Sequence, residues 1–117
     1  MKFNAMFSPI QIGPMTVKNR FVVPPMGNNF ANTDGTWSEQ SAAYYGERAK
    51  GQFGLITIEA SVVHQGAKGG PRKPCLYNDD SIESLKRITD ACHKEGAKVS
   101  VQLQNAGPEG NAKNAGA

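Results

Sequence analysis

Three short runs of high β-propensity begin near residues 20, 54 and 98, and two stretches of helical periodicity separate them. That alternation constrains the fold more than any single motif does. Consecutive β-α units lay their strands side by side and parallel, joined by right-handed crossovers. The first run, Phe21-Val22-Val23, must stop at Pro24-Pro25, because proline has no N–H for a sheet ladder. The second, Leu55-Ile56-Thr57-Ile58, is nearly continuous in apolar character, as in a parallel strand covered on both faces, and leads into Glu59-Ala60-Ser61. The third runs from Lys98 to Leu103. Alternation puts Val99, Val101 and Leu103 on one face and Ser100, Gln102 and Gln104 on the other.

The intervening helices carry their own punctuation. The first is predicted from an N-cap at Ser38 to about Lys50, with Ala42, Tyr45 and Ala49 on one face and Gly51 as the C′ residue. The second starts at an Asp80 N-cap with Glu83 three residues on. Ile82, Leu85, Ile88 and Cys92 then repeat at helical spacing, and Gly96 ends it. Ahead of these units, residues 10–17 read as a hairpin turned at Gly13-Pro14, with Phe7 and Pro9 tucked beneath the rest of the fold. Residues 27–36 are an Asn- and Gly-rich loop. Gly66, Gly69, Gly70, Pro71 and Pro74 make residues 65–78 a second, longer one. After Asn105 periodicity ends, so an irregular tail is expected.

The order is therefore hairpin, then β-α-β-α-β, an α/β fold. Two architectures use it: an open doubly wound sheet, or a closed (β/α)8 barrel of about 250 residues. Three strands make only a piece of either, with an open edge. Leu, Ile, Val and Phe make up about a fifth of the 117 residues, enough for a modest core. The net charge of +3 is spread along the chain. Its densest basic spot, Lys68, Arg72 and Lys73, is too thin to imply nucleic-acid binding. No apolar run approaches the roughly 18–20 residues of a membrane span, and the N-terminus makes a poor signal peptide. Cys75 and Cys92 form no CxxC, which argues against a metal or iron–sulfur site within these residues. Free thiols in a reducing cytoplasm suit them better than a disulfide.

Function in α/β folds gathers at the carboxyl ends of strands. Here those positions are Pro24-Pro25-Met26-Gly27, Glu59-Ala60 and Gln102 to Asn105. None is a phosphate-binding glycine loop, since neither GxGxxG nor GxxxxGK[ST] occurs. Gln102, on the polar side of its strand, has two readings. It is a polar rung satisfied by neighbouring strands or water, or an amide that recognises a planar heterocycle such as a flavin pyrimidine ring. Pro24 to Gly27 is either a rigid stop or a surface for a flat apolar ring, with Gly27 permitting close approach and Met26 offering a soft thioether. Glu59 is either catalytic or the partner of a core cation. Tyr44 and Tyr45 read as helix packing, and His64 and His93 lack a partner pattern. At the end of its helix, His93 favours the dipole by itself.

Taken together, Phe7-Ser8-Pro9-Ile10, the run from Ile12-Gly13-Pro14-Met15-Thr16-Val17-Lys18-Asn19-Arg20 to Pro24-Pro25-Met26-Gly27, Asp34-Gly35, Tyr45 to Gly54, Leu55 to Ala60 and Val101-Gln102-Leu103 carry a resemblance. The chain resembles the N-terminal third of the Old Yellow Enzyme family, also called the NADH:flavin oxidoreductase/NADH oxidase family. It looks closest to the bacterial branch of enoate and 2,4-dienoyl-CoA reductases. The resemblance implies a (β/α)8 TIM barrel with FMN at its carboxyl-end mouth, incomplete as given. Residues 1–107 would be its N-terminal segment and 108–117 an irregular tail. It implies NAD(P)H as electron donor and an electron-poor alkene, such as an α,β-unsaturated carbonyl, as the small-molecule substrate. By the same resemblance Pro24, Pro25, Met26, Gly27, Ala60 and Gln102 line the flavin, while Asn29 and Asn105 face the substrate. Three departures stand out. Asn105-Ala106-Gly107-Pro108 replaces a common His-Ala-Gly-Arg, Gly27 stands where some relatives place Cys or Thr, and Asn29 stands where some carry Tyr. The family's substrate-binding His/His or His/Asn pair, proton donor and flavin phosphate site belong to later strands, and a 4Fe-4S cluster to a missing C-terminal part. The protein is expected in the cytoplasm, with its oligomeric state, a homo-oligomer included, left open by the sequence. The isolated chain is expected to bind FMN weakly or not at all and to show no turnover. The alternative is an inactive remnant, or an interaction module with an open parallel-sheet edge.

Overall fold

The computed structural model describes residues 2–110. A helical turn, α1 (Asn4–Phe7), precedes a hairpin of β1 (Ile10–Ile12) and β2 (Met15–Val17), paired antiparallel with Ile10 opposite Val17. Then come β3 (Val22–Val23), α2 (Glu39–Lys50), β4 (Leu55–Val62), α3 (Ile82–Lys94) and β5 (Lys98–Gln104). The three later strands form one parallel sheet in the order β3-β4-β5, with Val22 opposite Leu55 and Leu55 opposite Lys98. Both expected β-α units are present, with their crossovers.

The core lies on one side of this sheet. Val23, Ile56 and Ile58 from the strands meet Trp37, Tyr45 and Ala49 around α2, and Ile88 and Cys92 from α3, all buried. Burial pushes the Cys92 thiol up to about 11, so it packs as a neutral apolar group. By alternation the other face carries Leu55, Thr57, Ser100 and Gln102. On it the Thr57 and Ser100 hydroxyls meet across β4 and β5 at 2.8 Å. Helices on one face and a polar, helix-free face opposite make an arc of a barrel wall rather than a doubly wound sheet, which needs helices on both faces.

Several expectations need correction in detail. Asp80 does not cap α3. A 3-10 turn (Asp79–Ser81) leads into the helix, and Asn78 caps that turn by accepting the Asp80 N–H at 3.1 Å. Of the expected stripe of α3, Leu85, Ile88 and Cys92 do pack against the core, joined by buried Ser84, whereas Ile82, just past that turn, is 62% exposed. Ser84 holds its inward place by polar contacts: its Oγ accepts the Trp37 N–H and donates to the Ser81 carbonyl. Ser38 does cap α2, accepting the Ser41 N–H at 3.1 Å. At the other end of α2, Gly51 keeps φ −69°, and the left-handed residue is Gln52 (φ +72°). Gln52 is held by its contacts, since its carbonyl accepts from Asn19 Nδ2 and its Oε1 from Lys18 Nζ. Phe7 is not tucked under the fold. It is 49% exposed and touches Phe21 at a centroid distance of 5.3 Å, and Pro9 is exposed as well. Leu103, on the same side as Val101, is 65% exposed because it stands on an edge strand beyond the helices. Of the expected irregular tail, residues 107–109 form a 3-10 turn (Gly107–Glu109), and 111–117 lie outside the described residues.

Candidate functional site at the carboxyl rim of the sheet

Because β3, β4 and β5 are parallel and adjacent, their carboxyl ends share one rim. Two features draw the predicted residues together there. The first is a break in register. Ile58 lies opposite Val101 and Ser61 opposite Leu103, so Glu59 and Ala60 together face Gln102 alone. Ala60 and Gln102 are thus neighbours across the two strands. The second is a bond between loops. The Asn28 N–H, just past Gly27, donates to Glu59 Oε2 at 3.2 Å and ties the exit of β3 to the end of β4.

Glu59 anchors this arrangement and is fully buried. Its backbone N–H donates to the Tyr45 hydroxyl at 3.0 Å, and that hydroxyl donates in turn to Glu59 Oε1 at 3.5 Å. Burial raises the carboxyl pKa above its ordinary value. The Asn28 N–H, the Lys73 charge and the Tyr45 hydroxyl act against that rise. Tyr45, whose ring packs edge-on against Tyr44, is itself pushed upward, chiefly by burial. The sequence reading of Tyr45 as packing missed its polar half. No local spacing signals it, because residues 45 and 59 meet only when α2 folds onto β4.

Residues 65–78 form the rim's outer support. Cys75 runs beside Val62 as a parallel bridge, with Val62 N–H donating to the Pro74 carbonyl and Leu76 N–H to that of Val62. Lys68 is buried and donates to the Thr33 carbonyl at 3.1 Å, and Arg72 reaches the Ala31 carbonyl at 3.4 Å. The thin basic spot in the sequence therefore fastens the 27–36 loop. His64 has a local structural task, its Nδ1 accepting the Gly66 N–H at 3.1 Å. His93 is exposed in the last turn of α3.

The remaining predicted positions are open to a ligand. Pro24 and Gly27 are exposed, Pro25 and Ala60 half-buried, and Met26 is 48% exposed. Gln102 is exposed, and its amide makes no hydrogen bond among the described residues. Asn29 is exposed in the left-handed region (φ +58°). Asn105 is exposed and accepts the Gly107 N–H at 2.9 Å, and its Nδ2 has no hydrogen-bond partner among the described residues. An exposed thioether, a residue without a side chain and an amide lacking partners on one rim suit the face and edge of a flat, hydrogen-bonding ring. Among the described residues no cluster of His, Cys, Asp and Glu could hold a metal ion, and no helix is long and apolar enough to cross a membrane.

Three parallel strands backed by two helices, with the polar face bare and the predicted residues at the carboxyl rim, define the N-terminal arc of a (β/α)8 barrel. The family model of the NADH:flavin oxidoreductase / NADH oxidase family matches residues 5–116, and the chain belongs to that family. It is 36% identical over 103 residues to the NADPH dehydrogenase of Listeria monocytogenes serotype 4a (strain HCC23), covering 87% of this chain and 30% of that protein. Among solved structures it is similar to the old yellow enzyme homologue of Zymomonas mobilis (TM-score 0.88, 33% identity, 97% of this chain and 31% of that one). It is also similar to a 2-naphthoyl-CoA reductase in complex with 2-naphthoyl-CoA (TM-score 0.91, 31% identity, 97% and 17%). The chain thus spans about a third or less of the length of these relatives.

Proposed function

We propose that this chain supplies the first wall of the flavin site of an FMN-dependent NAD(P)H oxidoreductase acting on an activated alkene, such as an α,β-unsaturated carbonyl. The observation that carries the reading is the register break placing Ala60 beside the unpartnered Gln102 amide, on the rim where Met26 and Gly27 are exposed. When bound, FMN supplies the redox chemistry, accepting hydride from the nicotinamide and passing it to the alkene. The residues of this chain position the ring. Gln102 offers a donor and an acceptor to its pyrimidine edge, and Pro24 to Gly27 offer backbone and thioether to its face. Ala60 keeps the approach small, while Asn29 and Asn105 stand on the substrate side. Its substrates on this reading are those of the enoate and 2,4-dienoyl-CoA reductase branch, which the sequence resembles. Two buried, unpaired thiols, Cys75 and Cys92, support a reducing compartment, the cytoplasm.

An NMR titration of the full chain with FMN tests the reading. Weak saturable binding is expected, with shifts at Met26, Gly27, Ala60 and the Gln102 side chain and no NADH oxidation. Gln102→Leu should weaken it about tenfold, the worth of a lost pair of ligand hydrogen bonds. Shifts confined elsewhere, or no saturable binding at millimolar FMN, would refute it. Tight stoichiometric binding would instead refute the idea that these strands are one wall of a larger site. A second reading, an interaction module, has one observation behind it: β5 is an edge strand with Leu103 65% exposed. A chain that dimerises through β5, with Leu103→Lys restoring the monomer, would favour it.

A further inference from the structure

Gly27 leaves a gap in the rim, and Lys73 fills it. A Cβ built on residue 27 would stand 3.1 Å from Lys73 Nζ. The ammonium therefore lies where the side chain of any other residue would project. It reaches that place from the 65–78 loop, which the Val62–Cys75 bridge and the Lys68 contact hold down. Lys73 is half-buried, yet among the described residues its ammonium takes part in no hydrogen bond or ion pair. Glu59 is the opposing charge within electrostatic reach, beyond ion-pair distance. A half-buried cation with no partner is costly, and an anion arriving on the rim would offset that cost.

We propose that Lys73 sets the charge preference of this wall, so that the site binds the anionic, reduced isoalloxazine more tightly than the neutral, oxidised one. The inference rests on the flavin reading given above and adds to it a named residue and a redox preference. Oxidised isoalloxazine is neutral and gains little from a cation beside it. The reduced ring carries a delocalised negative charge near neutral pH. A cation within about 4–6 Å typically favours an anionic form by tenfold or more, and an open rim belongs at the low end of that range. The missing side chain at 27 is what lets the ammonium reach the rim.

The test uses the full chain, isotope-labelled, titrated with FMN in air and with FMN reduced anaerobically by dithionite. Affinity is read from the Gly27 and Asn28 amide shifts, so no turnover is needed. The FMN phosphate is common to both arms and cancels in the ratio. Reduced FMN is expected to bind about tenfold tighter than oxidised. Lys73→Met should bring the ratio to about one, and Lys73→Arg should keep it. Gly27→Ala, whose added methyl meets only the flexible end of Lys73, should lower the ratio several-fold while oxidised FMN still binds. Equal ratios in the wild type and Lys73→Met would overturn the role of Lys73 and leave the flavin reading standing. Binding of neither form would overturn both.

Discussion

Tyr45→Phe removes one oxygen from the centre of the molecule and serves as a direct test of how the rim is held. Tyr45 and Glu59 are both buried. Without the hydroxyl, the Glu59 N–H loses its 3.0 Å acceptor, and its burial keeps water from replacing it. A buried donor left unsatisfied costs about 1–3 kcal/mol. The second contact, at 3.5 Å, is long, and losing it adds roughly 0.5 kcal/mol, the low end for a hydrogen bond. The expected loss is therefore about 1.5–3.5 kcal/mol. For a domain of this size it appears as a fall in Tm of roughly 5–20 °C. Urea unfolding of the full chain, followed by circular dichroism, measures it directly. Tyr44→Phe is the control. Tyr44 works through its ring, edge-on to Phe30 and under the Arg48 guanidinium, so losing its hydroxyl should change stability by less than about 0.5 kcal/mol. If Tyr45→Phe costs no more than Tyr44→Phe, the Glu59–Tyr45 link does not organise the end of β4, and the account of the rim fails.

Other outcomes rest on the same contacts. The folded pKa of Glu59 lies above its ordinary 4.5, so the native state keeps this proton longer than the unfolded chain. Stability should therefore be greatest below pH 4.5 as far as this group is concerned, and should fall as pH rises through the window up to the raised value. Glu59→Gln should flatten that part of a Tm–pH profile, and an unchanged slope would contradict it. Asp34, held down by the Thr36 hydroxyl and N–H, acts with the opposite sign and loses its contribution as pH falls. Gly35 has φ +91°, and an added Cβ would meet Cys75 Sγ at 2.7 Å, so Gly35→Ala should cost roughly 2–5 kcal/mol. Adding Cys75→Ala should return part of that loss in a urea melt, and no recovery would rule out the steric share. Ile88→Ala, at a fully buried position, should cost about 2–5 kcal/mol, against less than about 0.5 for Ile82→Ala. Equal losses would show that the buried stripe of α3 is misassigned.

The order of elements was legible in the residues because it rests on short-range physics. Pro24-Pro25 must end a strand, Ser38 supplies a cap oxygen, and Gly96 takes the left-handed φ of +80° that ends α3. Alternation along residues 98–104 likewise put Ser100 and Gln102 on the face away from the helices, where the Thr57–Ser100 contact lies. That Met26, Ala60 and Gln102 share a rim was also legible, because each follows or ends a strand of one parallel sheet, whereas their proposed assignment to a flavin leans on the resemblance.

What the tertiary structure decided has another physical origin. Asn28 meets Glu59 across 31 positions and Tyr45 meets it across 14, and no local rule encodes such pairs. The start of the buried face of α3 was set by tertiary contacts, with Ser84 bonded inward to Trp37 and Ser81 while Ile82 stays outside. The register break that seats Ala60 against Gln102 exists only once two strands are paired. Lys73 reads as one of three surface cations in the sequence. It becomes a neighbour of Gly27 only because the 65–78 loop folds back over the rim and a missing Cβ leaves it room. Local preferences laid down strands and helices. Long-range packing chose which side chains share a wall, because that choice depends on volume and on polar partners far apart along the chain.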